Sequence, residues 1–406
     1  MKKSKLPILL LSLVFFAMLP VTMVVPVMKE IIKDNLSAGN VAVALFTSVS
    51  MLGSFIFSPI AGLISDKLGD RRTIIAIACF VDAFLFLLIT FVQDINVLMF
   101  VRFMEGGTHI FVIGLLLASV SDLENNPNSS FYKQGRLMGI AGMFLSLGAA
   151  IGMPIGILGK SNPMIPFYAG SFLLFSIGIV SLSFLRDNIH SGQKEFRLAD
   201  LSKSIQLNPY LLVPFAFHFI DRFTVGFLVS SFNIYLRENL SFHPGKAGAY
   251  LSLVLLPMSI LSYPSAILSR KYGLLPLVLG GSFMYGGFLS ATGWTDDPVL
   301  LFIYLMLAGI GAGVMYVPSM ILASRMSPNG LNGTVMSAFT GLGSLGFMCG
   351  PICSVYLEKF YYQIFASEQA FPALSTSFGL LEICLVLCTI PFLYRINRYL
   401  SKENTG

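Results

Sequence analysis

The sequence predicts an all-α membrane protein of twelve transmembrane helices arranged as two pseudo-symmetric six-helix bundles. Three observations carry that prediction. The 406 residues are 55% hydrophobic and 11% charged, with a mean hydropathy of +0.79, which leaves too few polar groups to coat a soluble globule of this size. Apolar runs long enough to cross a bilayer, which takes about 20 residues, recur twelve times. An internal repeat joins the two ends of the chain: Gly135, Met138, Ser146-Leu147-Gly148 and Gly152 return at a constant offset of 198 as Gly333, Met336, Ser344-Leu345-Gly346 and Gly350.

Taken in order, the spans are expected at 6–28, 41–64, 73–92, 97–120, 136–158, 163–185, 209–236, 246–268, 274–293, 298–323, 333–357 and 371–395. The Lys2-Lys3-Ser4-Lys5 start before an apolar run has the outline of a signal peptide. Its run is long and no small-residue cleavage site follows, so it reads as a retained first span. With the first residues placed in the cytoplasm, eighteen of the 26 Lys and Arg fall on the inner face and six on the outer, and Arg102 and Arg222 remain within spans. This asymmetry follows the positive-inside rule and predicts both ends in the cytoplasm, as in a bacterial inner-membrane protein. The formal charge of +6 is scattered over short loops, with no basic stripe for nucleic acid. The five cysteines lie in apolar runs without metal-ligand spacing and read as reduced packing residues.

A single sizeable polar break, from about Arg186 to Asn208, divides the chain into a first bundle at 1–186, a cytoplasmic linker at 187–208 and a second bundle at 209–406. The densest knot of glycine and charge lies between the second and third spans, at Gly62-Leu-Ile-Ser-Asp66-Lys67-Leu-Gly69-Asp70-Arg71-Arg72. Gly62 suits a close helix approach, Gly69 a tight turn, and Lys67, Arg71 and Arg72 hold the loop on one side of the membrane. This pattern resembles the loop between helices 2 and 3 of the major facilitator superfamily, matching it position by position. A worn copy, Ser269-Arg270-Lys271-Tyr272-Gly273, stands in the second half with Arg270 in the place of Asp66.

The fifth span reads Gly139, Gly148, Gly152, Pro154 and Gly156. It resembles the antiporter motif of the drug:proton antiporter families, although Met153 intervenes before the proline and Ile157 replaces the last glycine. Physically, the glycines leave one helix face bare for close packing and Pro154 adds a kink. The fourth span carries Arg102, Glu105 and His109, spaced i, i+3 and i+7 on one face, and resembles the helix 4 motif of the same superfamily. The seventh span carries a second cluster, His218, Asp221 and Arg222. The resemblance implies the major facilitator fold, a cavity lined by helices 1, 4, 7 and 10, and the two clusters facing each other across it.

A charge at mid-membrane costs at least about 2.5–3.5 kcal/mol on insertion scales, so it persists mainly where it is paired, hydrated or used. Two readings stay open for these six residues. They are static ion pairs, or Glu105 or Asp221 takes up and releases a proton while the adjacent arginine tunes it, with His109 and His218 as relays. Asp82 and Glu382, in spans 3 and 12, read as structural supports. The first span lacks the mid-membrane acid common in exporters of cationic drugs. Asp66 is expected to latch the inner side by meeting the first turn of the eleventh span, after Pro328-Asn329-Gly330-Leu331-Asn332-Gly333.

No Walker loop, Gly-x-Ser-x-Gly elbow or His-Glu-x-x-His occurs, so neither ATP-driven transport nor hydrolysis has its residues. The resemblance implies a monomeric, proton-coupled exporter of a small organic compound, with no cofactor or metal, no enzymatic activity and no nucleic-acid partner. A uniporter or importer of a small metabolite or lipid, and a non-transporting sensor of the same fold, are the alternatives.

Overall fold

The computed structural model describes residues 6–68, 70–125, 136–185, 198–328 and 331–403. Within them, twelve helical spans are long and apolar enough to cross a membrane, from Leu6–Val27 to Ser367–Arg398. Their positions follow the sequence expectation closely. The largest difference falls at the eleventh span, which runs on to Ile364, followed by the end of the eighth at Tyr272 and the start of the twelfth at Ser367. Gly69 and residues 187–197 and 329–330 lie outside the described residues, as do the side chains of Asp66, Lys67 and Asn332.

The first six spans are built on α1 (Leu6–Met23), α2 (Asn40–Leu68), α3 (Arg71–Ile89), α4 (Ile95–Asn125), α5 (Arg136–Ile155) and α6 (Ile165–Phe184). A short helix, α7 (Leu198–Leu207), precedes the seventh span, which comprises α8 (Leu212–Phe227), a π-helical turn at Leu228–Phe232 and α9 (Asn233–Glu238). Then come α10 (Pro244–Tyr272), α11 (Leu274–Ala291), α12 (Pro298–Arg325), α13 (Asn332–Ile364), α14 (Ser367–Thr389) and α15 (Leu393–Glu403). Local chemistry sets several starts. Asp70 caps α3 by accepting from Thr73 N at 2.9 Å. Asp94 accepts from Asn96 N and Val97 N at the head of α4. Asp297 accepts from Val299 N at 2.7 Å while Pro298 opens α12. Each satisfies backbone donors that the first helical turn leaves without partners.

The repeat seen in the sequence reappears in the packing. α1 lies on α5 as α8 lies on α13, α3 on α6 as α11 on α14, and α3 on α4 as α11 on α12. Bare glycine faces make two of these contacts. A Cβ at Gly148 or Gly152 would collide with backbone or side-chain oxygens of α1, at Phe15 and Thr22 respectively, and one at Gly346 or Gly350 would strike the carbonyls of Phe219 and Phe223 in α8. Gly139, by contrast, has open space where its Cβ would stand. Gly152→Leu should therefore cost at least the roughly 1–3 kcal/mol of overpacking and lower the melting temperature of detergent-purified protein. Gly139→Leu should leave it unchanged, and equal behaviour of the two would refute the packing role.

Large apolar side chains such as Phe84, Phe91, Phe100, Phe172 and Phe283 are exposed along the helices, as expected of an integral multi-pass membrane protein whose outer surface meets lipid. Cys79 is buried, whereas Cys353, Cys384 and Cys388 are exposed, and all five cysteines are free. The expectation of packing residues thus fails for those three. An apolar run does not reveal which of its faces turns outward.

Compactness divides the chain differently from the repeat. One unit comprises Met1–Ser191 together with Leu228–Ser259, the other Gly192–Phe227 together with Ile260–Gly406. The exchanged segment begins at the π-helical turn of the seventh span. It joins the first unit through direct contacts described below.

Candidate functional site

In the first unit, the fourth span presents its polar face to α2 and α3. Arg102, Glu105 and His109 are all buried, and Asp82 on α3 is fully buried beside them. Arg102 Nη1 stands 2.8 Å from Glu105 Oε2, and its guanidinium lies 4.3 Å from the centre of the Phe46 ring. Ser50 Oγ donates to Glu105 Oε2 at 3.0 Å. Glycine makes that reach possible: at Gly106 a Cβ would collide with the Ser50 carbonyl, and at Gly53 with that of Phe103, so α2 and α4 cross at backbone contact. His109 Nδ1 lies 2.7 Å from Asp82 Oδ2. One atom each of Asp82, Glu105 and His109 falls within 4.8 Å of the others. Asp82, read from the sequence as a peripheral support, is therefore part of the cluster.

The second unit holds its own polar network around α8. Asp221 is buried, and Arg222 Nε lies 3.3 Å from its Oδ2. The Arg222 guanidinium sits 4.7 Å from the centre of the Tyr316 ring. His218 does not bond to Asp221. Its ring stacks on Phe339 with centroids 3.9 Å apart, against the glycine face of α13 at Gly343. Thr224 Oγ1 donates to the Asp221 carbonyl at 2.8 Å and lies 2.8 Å from the Tyr285 hydroxyl. Glu382 is fully buried and accepts from Ser282 Oγ at 2.9 Å. The sequence named Asp221, Arg222 and His218 but missed Tyr285 and Ser282, since hydroxyls in apolar runs carry no signal until a partner is seen.

At the loop between the second and third spans, Arg71 Nε donates to Ser65 Oγ at 3.0 Å, and its guanidinium pairs with Asp122 on α4. Arg71 is thus a buried tie between α3 and α4 as well as a positive charge of the loop, while Arg72 is half-buried. Gly62 is exposed with open space where its Cβ would stand, so among the described residues the close approach expected there is not found. The second span has already reached the surface at that point, and its close contacts lie deeper, at Gly53. The expected latch of Asp66 on α13 lies outside the described side chains.

At the opposite end of the first unit, α1 continues as a 3-10 turn at Val25–Val27 and a π-helix at Lys29–Asn35. Both meet the exchanged segment. Asn233 Nδ2 donates to the Val25 carbonyl at 2.8 Å. Arg237 pairs with Glu30, and Lys33 Nζ stands 2.6 Å from Glu238 Oε1. A Cβ at Gly248 would collide with the Met153 carbonyl, and one at Gly245 would stand 2.5 Å from Ile157. Gly156 packs against Pro26. The glycine–proline end of the fifth span thus holds α1 and α10 together.

These features fit what comparisons with known proteins return. The model of the Major Facilitator Superfamily matches residues 10–351 and 214–403. The chain is 26% identical over 395 residues to the multi-drug resistance efflux pump PmrA of Streptococcus pneumoniae, covering 90% of this chain and 93% of that protein. It is 22% identical over 257 residues to multidrug resistance protein 2 of Bacillus subtilis, covering 61% and 62% respectively. Among solved structures, the nucleoside transporter NupG superimposes with a TM-score of 0.77 at 13% identity, covering 96% of this chain and 99% of the other.

Proposed function

Because this chain belongs to the Major Facilitator Superfamily, we propose that it exports a small organic compound in exchange for protons by alternating access. The similarity to two multidrug efflux proteins supports export. The observation that carries proton coupling is the buried α4 cluster, where two carboxylates, an arginine and a histidine share a site among apolar helices. Charges so placed are costly unless they are used or tightly paired. The protein works as a monomer in a bacterial cytoplasmic membrane with both ends inside. It needs no cofactor, binds no nucleic acid and carries out no chemistry on its substrate.

In this reading the packed end of the first unit faces outward. Opening it requires α9 and the start of α10 to leave α1 and α5, breaking the contacts of Asn233, Arg237 and Glu238. The π-helical turn at Leu228–Phe232 is where the seventh span can bend, as such irregularities often do at functional positions.

The α4 cluster sets two acids against one arginine and the α8 network pairs Asp221 with Arg222, so a test panel must span substrate charge. Purified protein in proteoliposomes should move cationic ethidium, anionic fluorescein or neutral uridine when a pH gradient is imposed. Collapsing the gradient should stop net accumulation of the compound carried. Transport that ignores the gradient for every compound carried would replace this reading with a uniporter, and uridine uptake down its own gradient would favour import.

A further inference from the structure

Within the α4 cluster the two carboxylates are not equivalent. Glu105 is held from two sides, by Arg102 at 2.8 Å and Ser50 at 3.0 Å. Asp82 has one contact, with His109 at 2.7 Å, and its Oδ1 and His109 Nε2 have no hydrogen-bond partner among the described residues. That separation lies within the range of a charge-assisted N–H to carboxylate bond.

The charges that could compete are few. Facing the pair from α4 are Arg102 and Glu105, and on α3 itself Cys79 lies one turn before Asp82. α1 and α6 carry no Asp, Glu, Lys, Arg or His. α2 has ionisable groups only at its far end, at Asp66 and Lys67, and α5 only at Arg136 in its first turn. Arg71, Arg72, Asp122 and Glu124 stand at the other ends of α3 and α4. With Asp82 and Glu105 ionised and Arg102 cationic, the cluster carries one net negative charge while the imidazole is neutral. One proton on His109 makes it neutral. In a medium of low effective dielectric that difference is large, because an uncompensated buried charge has no solvent to stabilise it.

We propose that the exchangeable proton of this transporter resides on the His109–Asp82 pair between α3 and α4, with Glu105 a constant counter-charge to Arg102. The proton enters at Nε2 of the imidazole, whose Nδ1–H already donates to Asp82 Oδ2, and leaves by the same nitrogen; no other bond changes. The proposal rests on the coupled-transport reading above and names its proton site. In place of the Glu105 or Asp221 expected from the sequence, the site is a pair that bridges two helices, so that a small shift of α3 against α4 changes the pair's separation and with it the hold on the proton.

The four histidines, His109, His190, His218 and His243, allow a direct test by 15N NMR of ring nitrogens in full-length protein in lipid nanodiscs, with His109 assigned from its loss in His109→Gln. The His109 ring should change between neutral and doubly protonated forms within about pH 5–8, the interval in which histidine serves as a switch, and the change should vanish in Asp82→Asn. In proteoliposomes, Asp82→Asn should lose gradient-driven movement of whichever of ethidium, fluorescein or uridine the wild type carries, while gradient-free exchange of that compound persists. A ring fixed in one state in the wild type, or gradient-driven transport retained by Asp82→Asn, overturns the proposal. If Asp82→Asn does not fold, the wild-type titration and His109→Gln decide, since the latter must also lose gradient drive. A ring that titrates in a wild type whose transport ignores the gradient would overturn the coupling reading and leave the proton site standing.

Discussion

Glu105→Gln is expected to abolish gradient-driven transport and lower thermal stability, and Arg102→Gln/Glu105→Gln is expected to recover both. Glu105 is the buried partner of Arg102, so neutralising it leaves a guanidinium in the protein interior without its direct ion-pair partner, against the Phe46 ring and the Phe46 carbonyl at 3.4 Å. Removing one member of a buried pair costs about 3–5 kcal/mol. The same change makes the cluster neutral when His109 is neutral, so a proton there would add an uncompensated positive charge and proton uptake fails. Neutralising Arg102 as well restores the original balance: one negative charge empty, none when loaded. If Glu105 is itself the proton carrier, the double variant regains stability but not gradient drive. Melting curves together with transport under an imposed pH gradient separate the two outcomes, and unchanged behaviour of the single variant would refute both.

Arg237→Glu should open the packed end of the first unit, and Glu30→Arg/Arg237→Glu should close it again. The single change removes the Glu30 partner and sets a third acid near Glu30 and Glu238, while Lys33 remains with Glu238. Arg237 is largely buried and Glu30 partly so, which lessens the solvent screening that makes surface pairs weak. A loss of about 1.4 kcal/mol shifts a two-state equilibrium about tenfold. The checking measurement is maleimide labelling of Val25→Cys, a position buried under Asn233, in protein whose own five cysteines are replaced by serine. Labelling should quicken by about tenfold in Arg237→Glu and return to the starting rate in the charge swap. Equal rates in all three proteins would mean that the ion pairs do not hold this end shut.

Much of the architecture was legible without coordinates, for local reasons. A helix must satisfy its own backbone in lipid, so a run of about 20 apolar residues is itself a structural statement, and all twelve spans follow. The 198-residue repeat pointed to paired glycine faces, and Gly152 on α1 and Gly350 on α8 are those contacts. Periodicity also placed Arg102, Glu105 and His109 on one face of α4, since a residue's bearing around its own helix depends only on its neighbours in sequence.

What periodicity does not hold is the offset and tilt of one helix against another. Counted from the turn between α3 and α4, Asp82 lies about ten residues in and His109 about seventeen, a mismatch of about 10 Å at 1.5 Å per residue. The packed helices nonetheless bring them to 2.7 Å. For the same reason Glu382 looked peripheral until Ser282 was found beside it, Gly62 looked like a close contact and makes none among the described residues, and Leu228–Ser259 joined the first unit rather than the half to which its repeat assigns it. The sequence by itself determined the spans, the repeat and the polar face of α4, because these follow from backbone satisfaction and helical period. Tertiary structure alone decided which acid meets which base, because that depends on how whole helices slide and cross, a sum over many contacts that no short stretch of chain contains.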